Sequence, residues 1–291
     1  MKLTIVIVNW NTGKLLKECL ASLAALPEKD KIAEVIVVDN SSSDDSCQQA
    51  KAVEIGIPMT FMQLPKNIGY AAANNMALRA RRDKASHVLL LNPDTQVRPG
   101  ALTAGLDELE RDGTHGVVGL KLVNPDGSPQ PSVRSLPRLP VFLFIFLKMH
   151  RLRQQLMEPV FDYEKRAEVG QVMGAAFFIN RALLEKIGLL DEKFWIWFEE
   201  VDYCKRARDA GYKVIYTPAG VVMHHGGTSF GQLVGLKKSL PLLRSAQWYV
   251  RKHIGFFPYL ACALLWPVAL LLSVPASLLH LVEKARNKSR L

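Results

Sequence analysis

The sequence predicts an α/β fold: a mostly parallel central sheet with flanking helices, then an apolar helical extension. Three observations predict it. Short β-branched runs alternate with segments of helical periodicity from residue 3 to residue 123, the pattern of a sheet covered on both faces. Acidic and amide residues stand directly after those runs, where open α/β sheets bind ligands. Finally, Phe256 to Val282 contains no Asp, Glu, Lys or Arg.

The first strand is Leu3–Val8. It is continuously apolar, as a strand buried on both faces should be. The run is too short for the apolar core of a secretory leader and lacks a cleavage site. "NWNTG" turns the chain into a helix over Lys14–Leu26, with Leu15, Leu16, Cys19, Leu20 and Leu23 at helical spacing. Val35–Val38 is a second buried strand, ending at Asp39, and "NSSSDDS" opens the next helix with residues favoured at N-caps. Met59–Leu64 is a weaker strand. "KNIGYAAANNMALRARR" is a turn and an Ala-rich helix, and His87–Leu91 is a third clear strand running into "NPD". Helix over Pro99–Arg111 and strand over Gly116–Val123 complete the alternation. Residues 125–168 form a long connection rich in proline and basic residues, with an interfacial piece, "VFLFIFLKM". Val172–Ile179 returns as strand, Asn180–Ile187 as helix, and "KVIYTP" as the last strand.

Two regions follow: a domain over residues 1–235 and a basic, apolar extension over 236–291. The uncharged run of the extension is long enough to span a bilayer, but Pro258, Pro267 and Pro275 interrupt it. Basic residues flank both ends: Lys237, Lys238, Arg244, Arg251 and Lys252 before it, and Lys284, Arg286, Lys288 and Arg290 after it. A re-entrant or in-plane hairpin keeps both flanks at one anionic face, which a single span does not. The net charge of +10 calls for anionic partners. The basic residues gather around apolar segments and not in a base-stacking pattern, so nucleic acid is not expected. Four scattered cysteines without a CxxC fit a reducing compartment.

Several polar residues could carry chemistry. Asn9 and Asp39 end strands. Asp39 suits the hydroxyls of a nucleotide's ribose, and equally an N-cap. No G-x-G-x-x-G or Walker loop follows the first strand. Asp94 follows Asn92 and Pro93 at the end of a strand; such a carboxylate binds Mg2+ or Mn2+ on a diphosphate, or simply closes a turn. His224 and His225, beside two glycines, are metal ligands or loop histidines. Glu199, Glu200 and Asp202 stand directly behind Phe194, Trp195, Trp197 and Phe198. Acids there suit the first turn of a helix, yet carboxylates against aromatic rings are also poised as bases.

Together "TIVIVNWNTGKLLKECLASL", "VIVVDNSSSDDS", "NIGYAAANNMAL", "LLLNPDTQV", "GAAFFINRALLEKIGLLDEKFWIWFEEVDYCKRARDAGYKV" and "VMHHGGTSF" resemble the family 2 glycosyltransferases of the GT-A fold. The nearest likeness is to the rhamnosyltransferase-like and galactofuranosyltransferase-like branch, over residues 1–235. The resemblance implies a membrane-associated, metal-dependent, inverting enzyme using Mn2+ or Mg2+. The implied donor is a nucleotide-sugar, dTDP-rhamnose first and a UDP-sugar second. The implied acceptor is a polyprenyl-linked sugar or glycan at the cytoplasmic face of the cell membrane. Oligomeric assembly is compatible with it.

Carried over by position, Asp39 contacts the base or ribose, and Asn67 and Gly69 form the "N-x-G" turn of the donor pocket. Asp94 is the last acid of the metal motif, whose first position is Asn92 here, and His224 is the late metal ligand. Glu200 stands at the general base, usually Asp, with Glu199 beside it and Asp202 as a further acid. Trp195 and Trp197 would line the acceptor. The departures at Asn92 and Glu200 leave room for a non-catalytic membrane scaffold or glycan-binding protein. A sugar-nucleotide nucleotidyltransferase would need a glycine-rich basic loop that "NWNTGK" does not supply.

Overall fold

The computed structural model describes residues 1–158, 160–227 and 231–274. The first strand, β1 (Leu3–Asn9), is buried along its whole length. Its alternate side chains enter different layers, because successive residues of a strand point to opposite faces. Leu3, Ile5 and Ile7 join one hydrophobic cluster, and Val6 and Val8 another.

The first layer is covered by α1 (Leu15–Ala24), α2 (Ser46–Lys51) and α4 (Ala101–Arg111), through residues such as Leu16, Leu20, Ala50 and Leu106. The second is covered by α3 (Tyr70–Ala80), α7 (Arg181–Ile187) and α8 (Glu199–Asp209), through Ala73, Ala77, Leu183, Tyr203 and Ala207. The other strands are β2 (Ile32–Asp39), β3 (Met59–Gln63), β4 (His87–Leu91), β5 (Thr95–Val97) and β6 (His115–Val123). The chain then forms β7 (Val133–Arg134), α5 (Leu139–Phe146), α6 (His150–Met157), β8 (Ala167–Glu168) and β9 (Gln171–Val172). Strands β10 (Ala176–Ile179) and β11 (Lys213–His224) complete the sheet.

The sheet order is β3-β2-β1-β4-β10-β6-β11-β5, with β8 beside β11. Strands β3, β2, β1 and β4 run parallel, as expected. Strands β6 and β11 also run parallel to one another and in the same sense as those four, while the short β10, antiparallel to both β4 and β6, and β5 and β8, antiparallel to β11, make the sheet a mixed one. Between β6 and β10 the chain makes the long excursion over residues 124–175 in place of one crossover helix. Nothing then obliges β10 to enter the sheet in the parallel sense.

The apolar run expected to be interfacial forms α5 and turns Val141, Phe142, Ile145 and Phe146 inward. They meet α9 (Leu236–Tyr249), α10 (Phe256–Leu264) and α11 (Trp266–Leu271) in a third cluster with Phe194, Phe198 and Val201. Between α9 and α10 lies one π-helical turn, Val250–Ile254. Among the described residues no helix is long and apolar enough to cross a membrane. The expected uncharged run is instead two short helices as far as it is described; residues 275–282 and the final basic residues lie outside the described residues. The outer face of α10 and α11 leaves Phe257, Leu264 and Leu271 exposed by 81%, 81% and 71%.

Candidate active site

The parallel strands deliver their last residues to one edge. Asn9 pairs with Asp39 in register, and Ile7 with Leu91, so Asn92 follows alongside. Asn9 Nδ2 donates to Asp39 Oδ1 at 2.9 Å, and the Ser42 amide donates to Asp39 Oδ2 at 3.3 Å. Asp39 is buried, and its hydrogen bonds orient it at the strand end.

Asn40, overlooked in the sequence reading, ties this edge to the next turn. Its Nδ2 donates to Asn67 Oδ1 at 3.0 Å, and its Oδ1 accepts from the Ile68 amide at 2.9 Å. Gly69 has φ +90° and packs so closely that an added Cβ would lie 2.5 Å from Trp195 O and 2.6 Å from Trp195 Cδ1. Only glycine fits both the backbone angle and the contact. Asn67, Gly69, Asn92 and Asp94 thus wall one open pocket of about 510 Å³, with Trp10 and Trp195.

Asp94, in the wall of that pocket, meets His224. His224 Nε2 lies 3.3 Å from Asp94 Oδ1, and both residues are buried. The other ring nitrogen fixes the tautomer. Gln130 Nε2 donates to Asn124 Oδ1 at 3.0 Å and to His224 O at 3.3 Å, which turns Gln130 Oε1 toward His224 Nδ1, 2.7 Å away. Nδ1–H therefore donates, which in the neutral tautomer leaves the Nε2 lone pair toward the carboxylate. Two acceptors facing each other suit a shared cation. Among the described residues no third His, Cys, Asp or Glu joins them, so substrate oxygens and water would complete a hard cation's shell. Asn92 Nδ2 stands 3.5 Å from the same His224 nitrogen. The His225 amide donates to Asp94 O at 3.0 Å, while its Nε2 is buried without a partner.

The acidic stretch lies across Tyr70. Its hydroxyl donates to Asn92 Oδ1 at 3.3 Å, and the same residue walls a small pocket with Glu199 and Glu200. Burial, with the negative charges of Glu199, Glu200 and Asp94, pushes its phenol well up, so it stays protonated and donates. The sequence reading passed over Tyr70 within an Ala-rich helix.

Trp197 and Phe198 both have positive φ, 61° and 71°, a left-handed pair that turns the chain abruptly into α8. That turn separates the two expected acceptor tryptophans. Trp195 lines the pocket of Asp94, whereas Trp197 lines a second cavity with Glu200. Glu199 and Glu200 take the first two positions of α8. Each has a buried Oε2 without a partner. Burial and the neighbouring Glu200 charge hold Glu199 well above the usual carboxylate range. Burial also raises Glu200, against the pull of the Arg134 guanidinium. Such a pair titrates jointly.

Asp202 is fully buried and occupied. Arg206 Nε reaches its Oδ2 at 2.8 Å, and Lys252 Nζ and His253 Nε2 reach its Oδ1 at 2.7 Å each. Burial alone would raise its pKa, but His253, Arg206 and Lys252 together hold it below the ordinary value. Of the three acids, it alone is engaged by the C-terminal helical layer.

Comparison with known proteins agrees with this arrangement. The family model for glycosyl transferase family 2 matches residues 4–188. The chain is 29% identical over 253 residues to an N-acetylglucosaminyl-diphospho-decaprenol L-rhamnosyltransferase of Mycobacterium tuberculosis, covering 79% of this chain and 78% of that protein. Among solved structures, a mannosyltransferase of Pyrobaculum calidifontis in complex with GDP-Man and Mn2+ superposes with a TM-score of 0.59 at 18% identity, covering 98% of this chain and 79% of that one. GalNAc-T7 with UDP, GalNAc and Mn2+ gives a TM-score of 0.59 at 15% identity; the match covers 77% of this chain but only 44% of that one. These structures share the α/β, GT-A-like fold with its mixed sheet. Since the family match takes in the strands and turns that build the donor-side pocket, the chain belongs to glycosyl transferase family 2, in its rhamnosyltransferase-like branch, and is a sugar-transferring enzyme.

Proposed function

We propose that the chain is a metal-dependent inverting glycosyltransferase working at the cytoplasmic face of a membrane. It moves a sugar, rhamnose from dTDP-rhamnose in the first instance, onto a polyprenyl-diphosphate-linked acceptor in cell-surface glycan synthesis. The observation that carries this reading is the position of Glu200: an unpartnered buried carboxylate oxygen on one side of Tyr70, with the Asp94–His224 pair on the other. The mycobacterial relative, an N-acetylglucosaminyl-diphospho-decaprenol L-rhamnosyltransferase, supports a lipid-diphosphate acceptor and rhamnose.

Glu200 takes the proton of the acceptor hydroxyl as that oxygen bonds to the anomeric carbon from the face opposite the leaving group. The bond from the anomeric carbon to the diphosphate oxygen breaks as the new one forms, and the electron pair leaves with the nucleoside diphosphate. Glu199, more deeply buried, holds a proton, so that one carboxylate of the pair is free to act as base. Asp39 and Asn67 orient the nucleotide, and Tyr70 and Trp195 keep water from the reacting carbon. Asp94 and His224 would hold Mn2+ or Mg2+, which supplies positive charge to the departing diphosphate when bound. Asp202 positions α8. The exposed apolar face of α10 and α11, next to Arg251, supports peripheral membrane attachment.

A donor screen tests the reading. Purified membranes and lipid extract are incubated with dTDP-rhamnose, UDP-galactose, UDP-GlcNAc, UDP-galactofuranose or GDP-mannose and Mn2+ or Mg2+. Nucleoside diphosphate release is followed for the wild type, Glu200→Gln and Asp94→Ala. Release from one donor, lost by a factor of about 100 or more in both variants, is expected. Release from none, or release indifferent to both substitutions, would overturn the assignment in favour of a membrane scaffold.

A further inference from the structure

A second cavity, about 1150 Å³ and open to solvent, lies on the far side of Glu200 from the nucleotide pocket. Arg134, His150, Arg153 and Lys238 line it, brought from β7, α6 and α9. Residues that share no sequence neighbourhood therefore converge as one cationic set. Glu158 and Glu200 also line the cavity, so four basic side chains face two carboxylates. Arg134 has a buried Nε without a partner, and its Nη2 comes no nearer to Glu158 Oε1 than 3.9 Å. The cations bear on one another. Burial and the Arg134 charge lower Arg153, while burial and the charges of Arg153, Lys148 and Lys238 lower His150. Such repulsion is tolerated where a multiply charged anion relieves it. Gln154 and Gln171 complete the polar side, and the opposite wall is apolar: Val141 and Ile145 of α5, Leu242 of α9, and Trp197.

We propose that this cavity is the acceptor's diphosphate site, with Arg134, Arg153 and Lys238 gripping the diphosphate, the acceptor sugar at Glu200, and the isoprenoid chain leaving over the apolar wall of α5 and α9. The assignment rests on the transferase reading and deepens it. One cavity presents both groups that a sugar diphosphate needs: a carboxylate for its hydroxyl and fixed cations for its anomeric phosphates. The guanidiniums give geometry as well as charge, since a planar fork matches phosphate oxygens. The nucleotide pocket lacks such a set: among the described residues no arginine or lysine lines it.

The test uses farnesyl diphosphate as probe on the full chain, read by tryptophan fluorescence because Trp197 lines the cavity. EDTA is present so that the nucleotide pocket does not take up the probe through a metal. Farnesyl diphosphate is expected to bind, inorganic diphosphate to compete, and farnesol not to. Arg153→Gln and Lys238→Gln each weaken binding about tenfold or more, and Arg153→Lys restores part of it. Affinity for dTDP or UDP with Mn2+ stays as in the wild type. Flotation with phosphatidylglycerol vesicles separates a membrane headgroup from a substrate diphosphate. If both Gln variants lose vesicle binding but keep farnesyl diphosphate, the cluster is a headgroup contact and the proposal falls. It falls also if the probe binds all variants alike. A wild type that binds the probe through these residues yet releases nucleoside diphosphate from no donor overturns the transferase reading and leaves the diphosphate site standing.

Discussion

Asp202→Asn tests Asp202 as the acid that holds helix α8 in place, apart from the reacting role proposed for Glu200. Asp202 has no exposed surface and has three nitrogen partners within 2.8 Å, from Arg206 on its own helix and from Lys252 and His253 beyond α9. Asparagine keeps the volume but offers one acceptor oxygen, and its NH2 must face donors. Breaking a buried ion pair by changing one partner costs about 3–5 kcal/mol. With the shape retained, the lower end applies, about 3 kcal/mol. At about 2–4 °C per kcal/mol for a chain of this size, the midpoint drops by about 6–12 °C. The assay is thermal unfolding followed by circular dichroism at pH 7. Asp209→Asn serves as control, because its Lys205 pair is 54% exposed on the Asp209 side and worth about 0–1 kcal/mol. A midpoint for Asp202→Asn no lower than that of the control would refute the reasoning. The pH dependence has a definite sign. A carboxyl held below its ordinary value stabilises the fold fully at neutral pH, and loses that contribution as pH falls from about 4 through the depressed value. The gap between wild type and variant therefore closes in acid.

Glu199→Gln acts in the opposite sense. A carboxyl held above its ordinary value makes the wild type lose stability as pH climbs from about 4.3 toward the raised value, so the variant gains on it across that window in midpoint-versus-pH curves. Gln130→Leu removes the acceptor that fixes the His224 tautomer, and Mn2+ affinity measured calorimetrically with nucleoside diphosphate present should fall about 10–100-fold; an unchanged affinity would discard the tautomer argument. Gly69→Ala places a Cβ 2.5 Å from Trp195 O at φ +90°, and the backbone strain alone is worth about 1–3 kcal/mol. Nucleotide binding should weaken along with stability, and a variant binding dTDP and UDP as tightly as the wild type would show that the turn does not shape the pocket.

The parallel half of the sheet was legible because Leu3–Val8, Val35–Val38 and His87–Leu91 are continuous apolar runs, which only a doubly covered strand requires. Asn9, Asp39 and Asp94 followed from strand ends. The direction of β10 was not legible: "AAFFI" declares a buried strand but carries no sign of its sense. The run in α5 read as interfacial, since apolarity does not reveal whether lipid or protein covers it; here α9, α10 and α11 do. Gln130 and Arg134 lay in what read as a linker, and their roles arise only when the excursion folds back beside His224 and Glu200. Trp195 and Trp197 read as one platform. Their separation depends on left-handed backbone at Trp197 and Phe198, which no side-chain pattern announces for non-glycine residues.

The third cluster bears on how this enzyme could be cut or recombined. The N-terminal turn of α8 is not seated on the sheet alone. Phe198 packs with its ring tilted, centroid 5.7 Å from that of Tyr249, Ser245 Oγ donates to Ile196 O at 2.7 Å, and Trp248 Nε1 donates to Asp191 at 3.1 Å. The segment carrying Glu199 and Glu200 thus takes half of its mould from helices that follow residue 235. A truncation there would deliver the sheet and the Asp94 pocket but uncast the proposed base. A chimaera that exchanged the last helices for those of a relative would exchange, with them, the alignment of its own chemistry. The C-terminal helices and the acidic turn are one inheritable unit, and a designer should move them together.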